Sequence, residues 1–447
     1  MPFGRLIASV RNPAQLVLTA FVALAAAGTL LLRLPFAIDD GARSPDWVDT
    51  AFWSTSAATV TGLSTIDVRV FSTFGELVLL ALVQVGGFGV MTIGAALALA
   101  ASRRLGLRQR MLAKAELGAG EMGELKALIL AIARITIVVE LAIAIVLFAT
   151  FTLRHGEPTG RAAYSAVFHA ITSFNNAGIS LESDNLVRYR SDPFVVLPVS
   201  LAFITGGLGF PVLVEFIKRV RPSRWTLNTR ITLFATAGLL LIGPALVLAL
   251  EWTNPLTLGP MDLSDKLLSA WFQGTSPRTA GFNTIDLAAQ TGPTQNVQTA
   301  LMFIGAGPAS TSGGIKVTTF AVLGFAMWAE VRGDEDVNAF GRRLSPRVLR
   351  QALTMALLAI GSVFGLAIIL SAMSHLPFTA TLYESASAFG TTGLSVGVST
   401  AAPEPGQWLL AGMMLLGRVG PMTFVSALTL RETSRAYRFP EERPLIG

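Results

Sequence analysis

The stretch Thr59-Val60-Thr61-Gly62-Leu63 is decisive for the fold, because variants of it return three more times along the chain. The variants are Asn175-Asn176-Ala177-Gly178-Ile179, Arg278-Thr279-Ala280-Gly281-Phe282 and Gly390-Thr391-Thr392-Gly393-Leu394. Each glycine follows a hydroxyl residue by six positions and an aromatic residue by ten; the hydroxyl residues are Ser56, Thr172, Thr275 and Ser387. The glycines recur at roughly 110 residues, which predicts four tandem units. We place these units at residues 1–114, 115–222, 223–343 and 344–447.

Composition predicts an integral membrane protein. Of 447 residues, 52% are hydrophobic and 14% are charged, whereas soluble domains contain about 25% charged residues. The absence of cysteine excludes disulfides, thiolate metal sites and a cysteine nucleophile. The net charge of +6 comes from basic residues between apolar segments rather than on one soluble face, so we expect membrane lipid and no nucleic acid as a partner. We interpret the apolar N-terminal run as a retained first span, since no obvious cleavage site follows it.

Apolar segments long enough to span a bilayer occur twice in each unit. They are roughly residues Gln15–Leu32, Leu77–Ala101, Leu128–Leu153, Val195–Ile217, Ile231–Leu250, Val297–Ala329, Val348–Ala372 and Trp408–Leu430. Between the members of each pair lies a shorter stretch that ends at the loop glycine, beginning near Asp49, Ala163, Leu267 and Leu382. Such a stretch is too short to span and too apolar for water, which favours a re-entrant hairpin. The predicted fold class is an all-α integral membrane protein with four span–pore-hairpin–span repeats. Its eight transmembrane helices and four re-entrant half-helices surround one central pore.

Lysine and arginine predict the orientation. The connections between units carry basic runs at residues 103–114, 218–230 and 332–350, and together with the two ends they hold more than twice as many basic residues as the hairpin side. The positive-inside rule therefore places both termini in the cytoplasm and the hairpin mouths outside. The same arginines are also suited to binding anionic lipid or a partner, and the sequence does not separate these roles.

Small residues mark the second span of every unit, at Gly86-Gly87, Gly206-Gly207, Gly305 and Gly417. For the first two pairs, close helix packing and a functional role are equally favoured explanations. In the third unit, the stretch from Gly305 to Lys316 begins with ten small or polar residues, which include Gly307, Gly313 and Gly314. A lipid-facing helix would not tolerate such a run. Arg418 lies at the matching position of the fourth unit, where an ionisable group is expected to face a polar interior.

The four loops are suited to binding a cation with few charges. An ion that leaves water needs replacement oxygens, and backbone carbonyls supply them where glycine permits an unusual backbone angle. Four loops around one axis would stack carbonyls in rings, as in potassium-channel filters. The half-helices would direct their negative C-terminal ends toward the cavity. Since few loop side chains are acidic, a weakly hydrated monovalent ion is favoured over calcium or magnesium.

The four loop glycines, the fourfold pattern and the run Gly313-Gly314-Ile315-Lys316-Val317 resemble the Trk/Ktr/HKT superfamily of potassium transporters, over nearly the whole chain. The resemblance implies potassium uptake across the bacterial cytoplasmic membrane, a homodimer, and a cytosolic ring of nucleotide-binding regulatory subunits. The implied potassium filter consists of Val60, Thr61, Gly62, Asn176, Ala177, Gly178, Thr279, Ala280, Gly281, Thr391, Thr392 and Gly393. The implied gate consists of Gly305, Gly307, Gly313, Gly314, Lys316 and Arg418. Glycine in the first loop accompanies potassium preference in this superfamily, whereas serine accompanies sodium in some plant members.

Several alternatives stay open or are disfavoured. A secondary transporter of another cation or small solute would show inverted or paired repeats instead of four parallel ones. An enzyme would need a nucleophile with a base, or a metal set, and neither is evident. Sodium stays open as a coupling or activating ion. Glu140, inside a predicted span, is either a buried, paired or neutral carboxyl or part of a proton or sodium path, and His169 is expected to be packed or hydrogen-bonded.

Overall fold

The computed structural model describes residues 13–103 and 122–420, which are almost entirely helical. The helices are α1 Pro13–Leu32, α2 Trp47–Ala58, α3 Thr73–Arg103, α4 Met122–Leu153, α5 Thr159–Phe174, α6 Pro193–Leu208, α7 Phe210–Ile217, α8 Leu227–Glu251, α9 Leu263–Thr275, α10 Gly292–Phe303, α11 Val317–Arg332, α12 Pro346–Ser374, α13 Phe378–Gly390, α14 Val398–Ala401 and α15 Glu404–Val419. Two short strands, β1 Asn338–Ala339 and β2 Arg342–Arg343, pair antiparallel.

One sequence of elements recurs four times along the chain. A long apolar helix (α1, α4, α8 or α12) precedes a short helix (α2, α5, α9 or α13), the glycine loop and a further helix. The short helices lie where half-helices are predicted, and each begins a few residues earlier than its sequence pattern indicates. Their last turns are buried on all sides, because the longer helices of the same and neighbouring units surround them.

The predicted span Val195–Ile217 consists of two helices rather than one. α6 and α7 are bent by 102° at Gly209, whose φ of +88° is left-handed. The span Val297–Ala329 is interrupted between α10 and α11, where the small-residue run stands. α15 ends before Gly420, which also has a left-handed φ, of +89°, and the rest of the span predicted there lies outside the described residues. The second and third units thus interrupt their second apolar segment at a glycine-rich position, α15 of the fourth ends at one, and α3 of the first runs through it.

Three described helices are long and apolar enough to cross a membrane, namely Ile129–Leu153, Leu227–Glu251 and Pro346–Ser374, and the bent α6–α7 pair is a fourth candidate. On α4 the apolar residues Leu130, Ile137, Leu141 and Ile145 are each more than half exposed and share one face. A stripe of this size would promote aggregation in water, whereas lipid solvates it. The predicted total of eight spans stays a prediction.

The hydrophobic core joins each unit to its neighbours. Phe52 and Leu63 of the first unit pack in one cluster with Tyr383 and Phe389 of the fourth. Phe168 and Ala177 of the second unit belong to the cluster around α2 and α3. Phe272 and Phe282 of the third unit pack among α4, α5 and α6. Aromatic residues of the short helices and their loops therefore pack each unit against a neighbouring unit.

Only some of the basic residues that predict the orientation lie within the described residues. The basic run at residues 104–114, both chain ends and the terminal arginines lie outside the described residues. Lys218, Arg219, Arg347 and Arg350 are exposed, as charges in a connection between units should be. Arg278, which the charge count assigns to the hairpin side, is only 6% exposed and donates to Thr236 Oγ1 at 3.4 Å. It is therefore a buried group rather than a solvated topological signal.

Candidate functional site

The four glycine loops meet in a closed ring. A Cβ atom added to any loop glycine would lie 2.1–2.6 Å from a backbone atom of another loop. The facing pairs are Gly62 with Ala177, Gly178 with Gly281, Gly281 with Thr392, and Gly393 with Thr61. Each loop thus abuts the next in chain order, and the fourth returns to the first. No real side chain fits at such distances, which explains why glycine stands at all four positions.

All four loops share an unusual backbone. The glycine φ angles lie between +63° and +90°, and the residue two positions earlier also has a positive φ in every loop: Val60, Asn176, Thr279 and Thr391. The residue between them has a negative φ. In a regular strand successive carbonyls point to opposite sides, and inverting φ at alternate residues turns them toward the same side. Because a left-handed non-glycine residue costs on the order of 1 kcal/mol, its repetition indicates a geometry that the surrounding packing enforces.

The hydroxyl residues six positions before the glycines anchor the loops in two different ways. Ser56 Oγ accepts a hydrogen bond from the Gly62 N–H at 3.0 Å, and Ser387 Oγ accepts one from the Gly393 N–H at 3.1 Å. In the second and third units Thr172 and Thr275 donate back to carbonyls of their own helices. The first and fourth loops are therefore tied to their short helices through the glycine itself.

The paired glycines of the second apolar segments serve close packing. A Cβ on Gly86, Gly206 or Gly417 would lie 1.9–2.0 Å from a carbonyl oxygen at the C-terminal end of that unit's own short helix. The packing explanation for Gly86 and Gly206 is therefore correct, and it extends to Gly417. This close contact packs the second helix of each of these units against the end of its short helix, next to the loop.

The segment between α10 and α11, with the predicted gate residues, is irregular but buried and hydrogen-bonded. The Gly305 N–H donates to Ile315 O at 2.8 Å, and the Gly307 N–H donates to Gly207 O at 2.8 Å. The Gly314 N–H donates to Gly417 O at 3.2 Å. Non-helical backbone inside a membrane protein requires partners of this kind. The segment is thus held by α6 of the second unit and α15 of the fourth.

The same segment contacts three of the four loops. Thr279 Oγ1 donates to Ser312 Oγ at 2.6 Å, and the Asn176 side-chain amide lies 2.9 Å from the same Ser312 oxygen. The Gly313 N–H donates to Thr391 Oγ1 at 3.0 Å. These contacts involve the loop residue two positions before each glycine. The segment therefore lies at the starts of these three loops, next to the C-terminal ends of their short helices.

Arg418 and Lys316 add positive charge beside this segment. Arg418 is 4% exposed, and its guanidinium donates to Thr311 O and, at 3.0 Å, to Gly86 O. Lys316 Nζ donates to Ser312 O at 2.5 Å. Arg418 thereby joins the first, third and fourth units. Its described hydrogen bonds go to backbone carbonyls and not to a carboxylate, so its positive charge is not neutralised by an ion pair there.

Glu140 is a buried, hydrogen-bonded carboxyl group next to the second loop. Its oxygens accept from Asn175 Nδ2 at 3.1 Å and from Gln84 Nε2 at 3.4 Å. Asn175 Nδ2 also donates to Gln84 Oε1 at 2.8 Å, and Asn175 is the C-cap of α5. His169 is likewise packed: its Nδ1 lies 2.8 Å from Ser165 O and its Nε2 lies 3.0 Å from Ser180 Oγ. Glu140 therefore connects α3 and α4 to the start of the second loop.

Substitution of Glu140 separates its two open roles. If the ring selects among cations, Glu140→Ala should lower the discrimination between potassium and sodium several-fold, because Asn175 loses an acceptor whose hydrogen bond is worth about 0.5–1.5 kcal/mol. Glu140→Gln keeps an acceptor oxygen and should stay within about twofold of the parent. Ion fluxes into proteoliposomes at several pH values measure both. Loss of a pH-dependent flux in Glu140→Gln alone would contradict the anchoring role and favour a proton path.

Comparisons with known proteins agree with this arrangement. A family model described as "Cation transport protein", TrkH, matches residues 7–434. The Ktr system potassium uptake protein B of Bacillus subtilis is 36% identical over 98% of this chain and 97% of its own length. The protein of the same name from Vibrio alginolyticus is 35% identical over 100% of this chain and 98% of its own.

A solved structure shows the same fold. The crystal structure of the potassium transporter TrkH from Vibrio parahaemolyticus superimposes with a TM-score of 0.75, at 20% identity, and covers 94% of this chain and 86% of that one. The ring of loops, the apolar helices and the full-length match all point to a membrane transporter rather than an enzyme. This chain belongs to the TrkH family of cation transport proteins.

Proposed function

We propose that this protein takes up potassium across the bacterial cytoplasmic membrane through one pore per chain, with the four glycine loops as its selectivity filter. The observation that carries this proposal is the closed ring, in which every loop glycine abuts the backbone of another loop. The shared alternation of φ supports the proposal, since this backbone geometry would direct consecutive carbonyls to one side and so supply rings of oxygens from four unlike segments. The names of the two Ktr relatives support potassium as the ion.

The chemistry of the ring favours a monovalent cation. The side chains of the twelve proposed filter residues contain no carboxylate, whereas calcium sites normally use several. Four short helices end at the ring, and their C-terminal ends carry partial negative charge that stabilises a cation without binding it tightly. Carbonyl rings of this kind replace the hydration shell of potassium. In this proposal, sodium is a candidate coupling or activating ion.

The buried segment between α10 and α11 would act as the gate, together with Arg418. The segment lies against the starts of three loops. The Arg418 guanidinium links its backbone, at Thr311 O, to Gly86 O of α3. We propose that a cytosolic ring of nucleotide-binding subunits, docked on a homodimer of this chain, moves this segment. The designation "Ktr system" for the two relatives fits a transporter that works with further subunits.

Growth of a potassium-uptake-deficient bacterium tests the proposed function directly. The parent chain should restore growth at low external potassium, and a co-expressed regulatory subunit should increase the restored uptake. Rubidium or potassium flux into proteoliposomes, with and without sodium, gives the ion preference. A flux that depends on a co-transported solute and shows no preference among alkali ions would favour a secondary transporter instead.

A further inference from the structure

A single asparagine outside the four loops makes hydrogen bonds to the backbone of the second and third loop regions. Asn185 Nδ2 donates a hydrogen bond to the carbonyl oxygen of Gly178, the loop glycine of the second unit, at 3.1 Å. Asn185 Oδ1 accepts from the backbone N–H of Asn283 at 3.3 Å. Asn283 follows Gly281 of the third loop by two residues. One side chain thus bridges the second and third units.

The backbone of Asn185 is built to hold that side chain in place. Its φ of +60° is left-handed, a conformation that asparagine tolerates better than most residues. Its N–H donates to Glu182 O at 3.1 Å, and its carbonyl accepts from Ser180 Oγ at 3.0 Å. All four polar groups of Asn185 are therefore hydrogen-bonded. The next residue, Leu186, repeats the connection to the third unit by donating its N–H to Asn283 O at 3.1 Å.

A buried histidine supports the same turn. Ser180 Oγ, which bonds the Asn185 carbonyl, also lies 3.0 Å from His169 Nε2 on α5. His169 Nδ1 is fixed in turn by Ser165 O at 2.8 Å. A continuous set of hydrogen bonds therefore runs from the short helix of the second unit, through Ser180 and Asn185, to the Gly178 carbonyl.

The carbonyl groups of the four loop glycines differ in their hydrogen bonding. Within residues 13–103 and 122–420, the carbonyl oxygens of Gly62, Gly281 and Gly393 accept no side-chain hydrogen bond. Only the Gly178 carbonyl of these four has its direction restrained by a donor. A free carbonyl can swing inward to approach a small ion, whereas a restrained one keeps the spacing that suits a larger ion. Cavity size and the number and field strength of the carbonyl dipoles are the two explanations given for potassium preference in channel filters, and a contracted ring would change both.

We propose that Asn185 is a specificity-determining residue, which holds the Gly178 carbonyl and the join between the second and third loops so that the ring does not contract around sodium. This inference rests on the proposed function, since it assumes that the ring conducts potassium selectively. It assigns a role in selectivity to a residue seven positions beyond the loop glycine.

Two substitutions at Asn185 separate the contribution of the side-chain amide from that of the backbone conformation. Asn185→Gly keeps the left-handed conformation without steric cost but removes both side-chain hydrogen bonds. Asn185→Asp has nearly the same shape and keeps the acceptor for the Asn283 N–H, but it loses the donor to Gly178 O. Ser183→Gly is the matched control, because Ser183 is exposed in the same turn and its side chain makes no described hydrogen bond.

Potassium and sodium permeabilities of purified full-length protein in liposomes provide the test. Both Asn185 variants lose the donor to Gly178 O and should therefore lose roughly three- to tenfold in the potassium-to-sodium ratio, the size expected for that one hydrogen bond, while potassium flux persists. Ser183→Gly should keep the parent ratio. Parent ratios in both Asn185 variants, or an equal loss in Ser183→Gly, would overturn the role of the amide. A parent that fails to discriminate the two ions would instead refute the proposed function, so the two failures are distinguishable.

Discussion

Gly62→Ser should lower the discrimination of potassium from sodium by about tenfold, which corresponds to ~1.4 kcal/mol of differential binding. A Cβ at this position would lie 2.1 Å from the Ala177 carbonyl oxygen, so the second loop must move for the side chain to fit. The displaced oxygen belongs to the proposed filter, and the ring therefore loses the spacing that suits potassium. Relative permeabilities from reversal potentials in planar bilayers, or from competing fluxes in liposomes, measure the change.

Gly41→Ser is the control for backbone strain in this experiment. Gly41 and Gly62 have the same φ of +89°, but nothing lies within 4 Å of a Cβ added at Gly41. Serine at residue 41 therefore carries the same conformational cost without a clash in the ring. An unchanged ratio in Gly62→Ser, or an equal reduction in Gly41→Ser, would remove the first loop from the filter assignment.

Arg418→Ala should raise potassium flux roughly tenfold when no regulatory subunit is present. The substitution removes the hydrogen bonds that hold Thr311 O and Gly86 O together. It also removes a positive charge that repels a passing cation; two unit charges about 8 Å apart interact by about 2 kcal/mol at an effective dielectric constant of ~20. Flux into liposomes that contain only this chain is the appropriate measurement.

Two further arginine variants define what Arg418 contributes. Arg418→Lys keeps the charge but not the two-sided hydrogen bonding, so low flux in this variant would assign the obstruction to charge. High flux would assign it to the bonds. Arg347→Ala removes an exposed arginine at the start of α12 and should leave flux near the parent level. Parent-level flux in Arg418→Ala would exclude the residue from the gate.

Much of the fold is readable from the chain because lipid imposes simple rules on sequence. The repeated glycine, the preceding hydroxyl and aromatic residues, and the paired apolar segments predict four units with short helices before their loops, and short helices are present at all four places. The break between α10 and α11 is also predictable, since ten consecutive small or polar residues cannot remain a lipid-facing helix. The bend at Gly209 is not, because the glycines at 206, 207 and 209 also suit close helix packing, and the matching glycines of the first unit lie within a continuous α3.

The sequence by itself determined the fourfold repeat, the apolar surface and the location of the glycine loops, because these depend on local composition and on spacing along the chain. Only the tertiary structure decided which residues from different units meet: Gly62 with Ala177, Asn175 with Glu140, and Asn185 with both Gly178 and Asn283. The sequence around Asn185 predicts only a polar turn and gives no indication of a role in selectivity. Its importance arises when helix packing brings two loops, distant in the chain, within hydrogen-bonding distance of one amide.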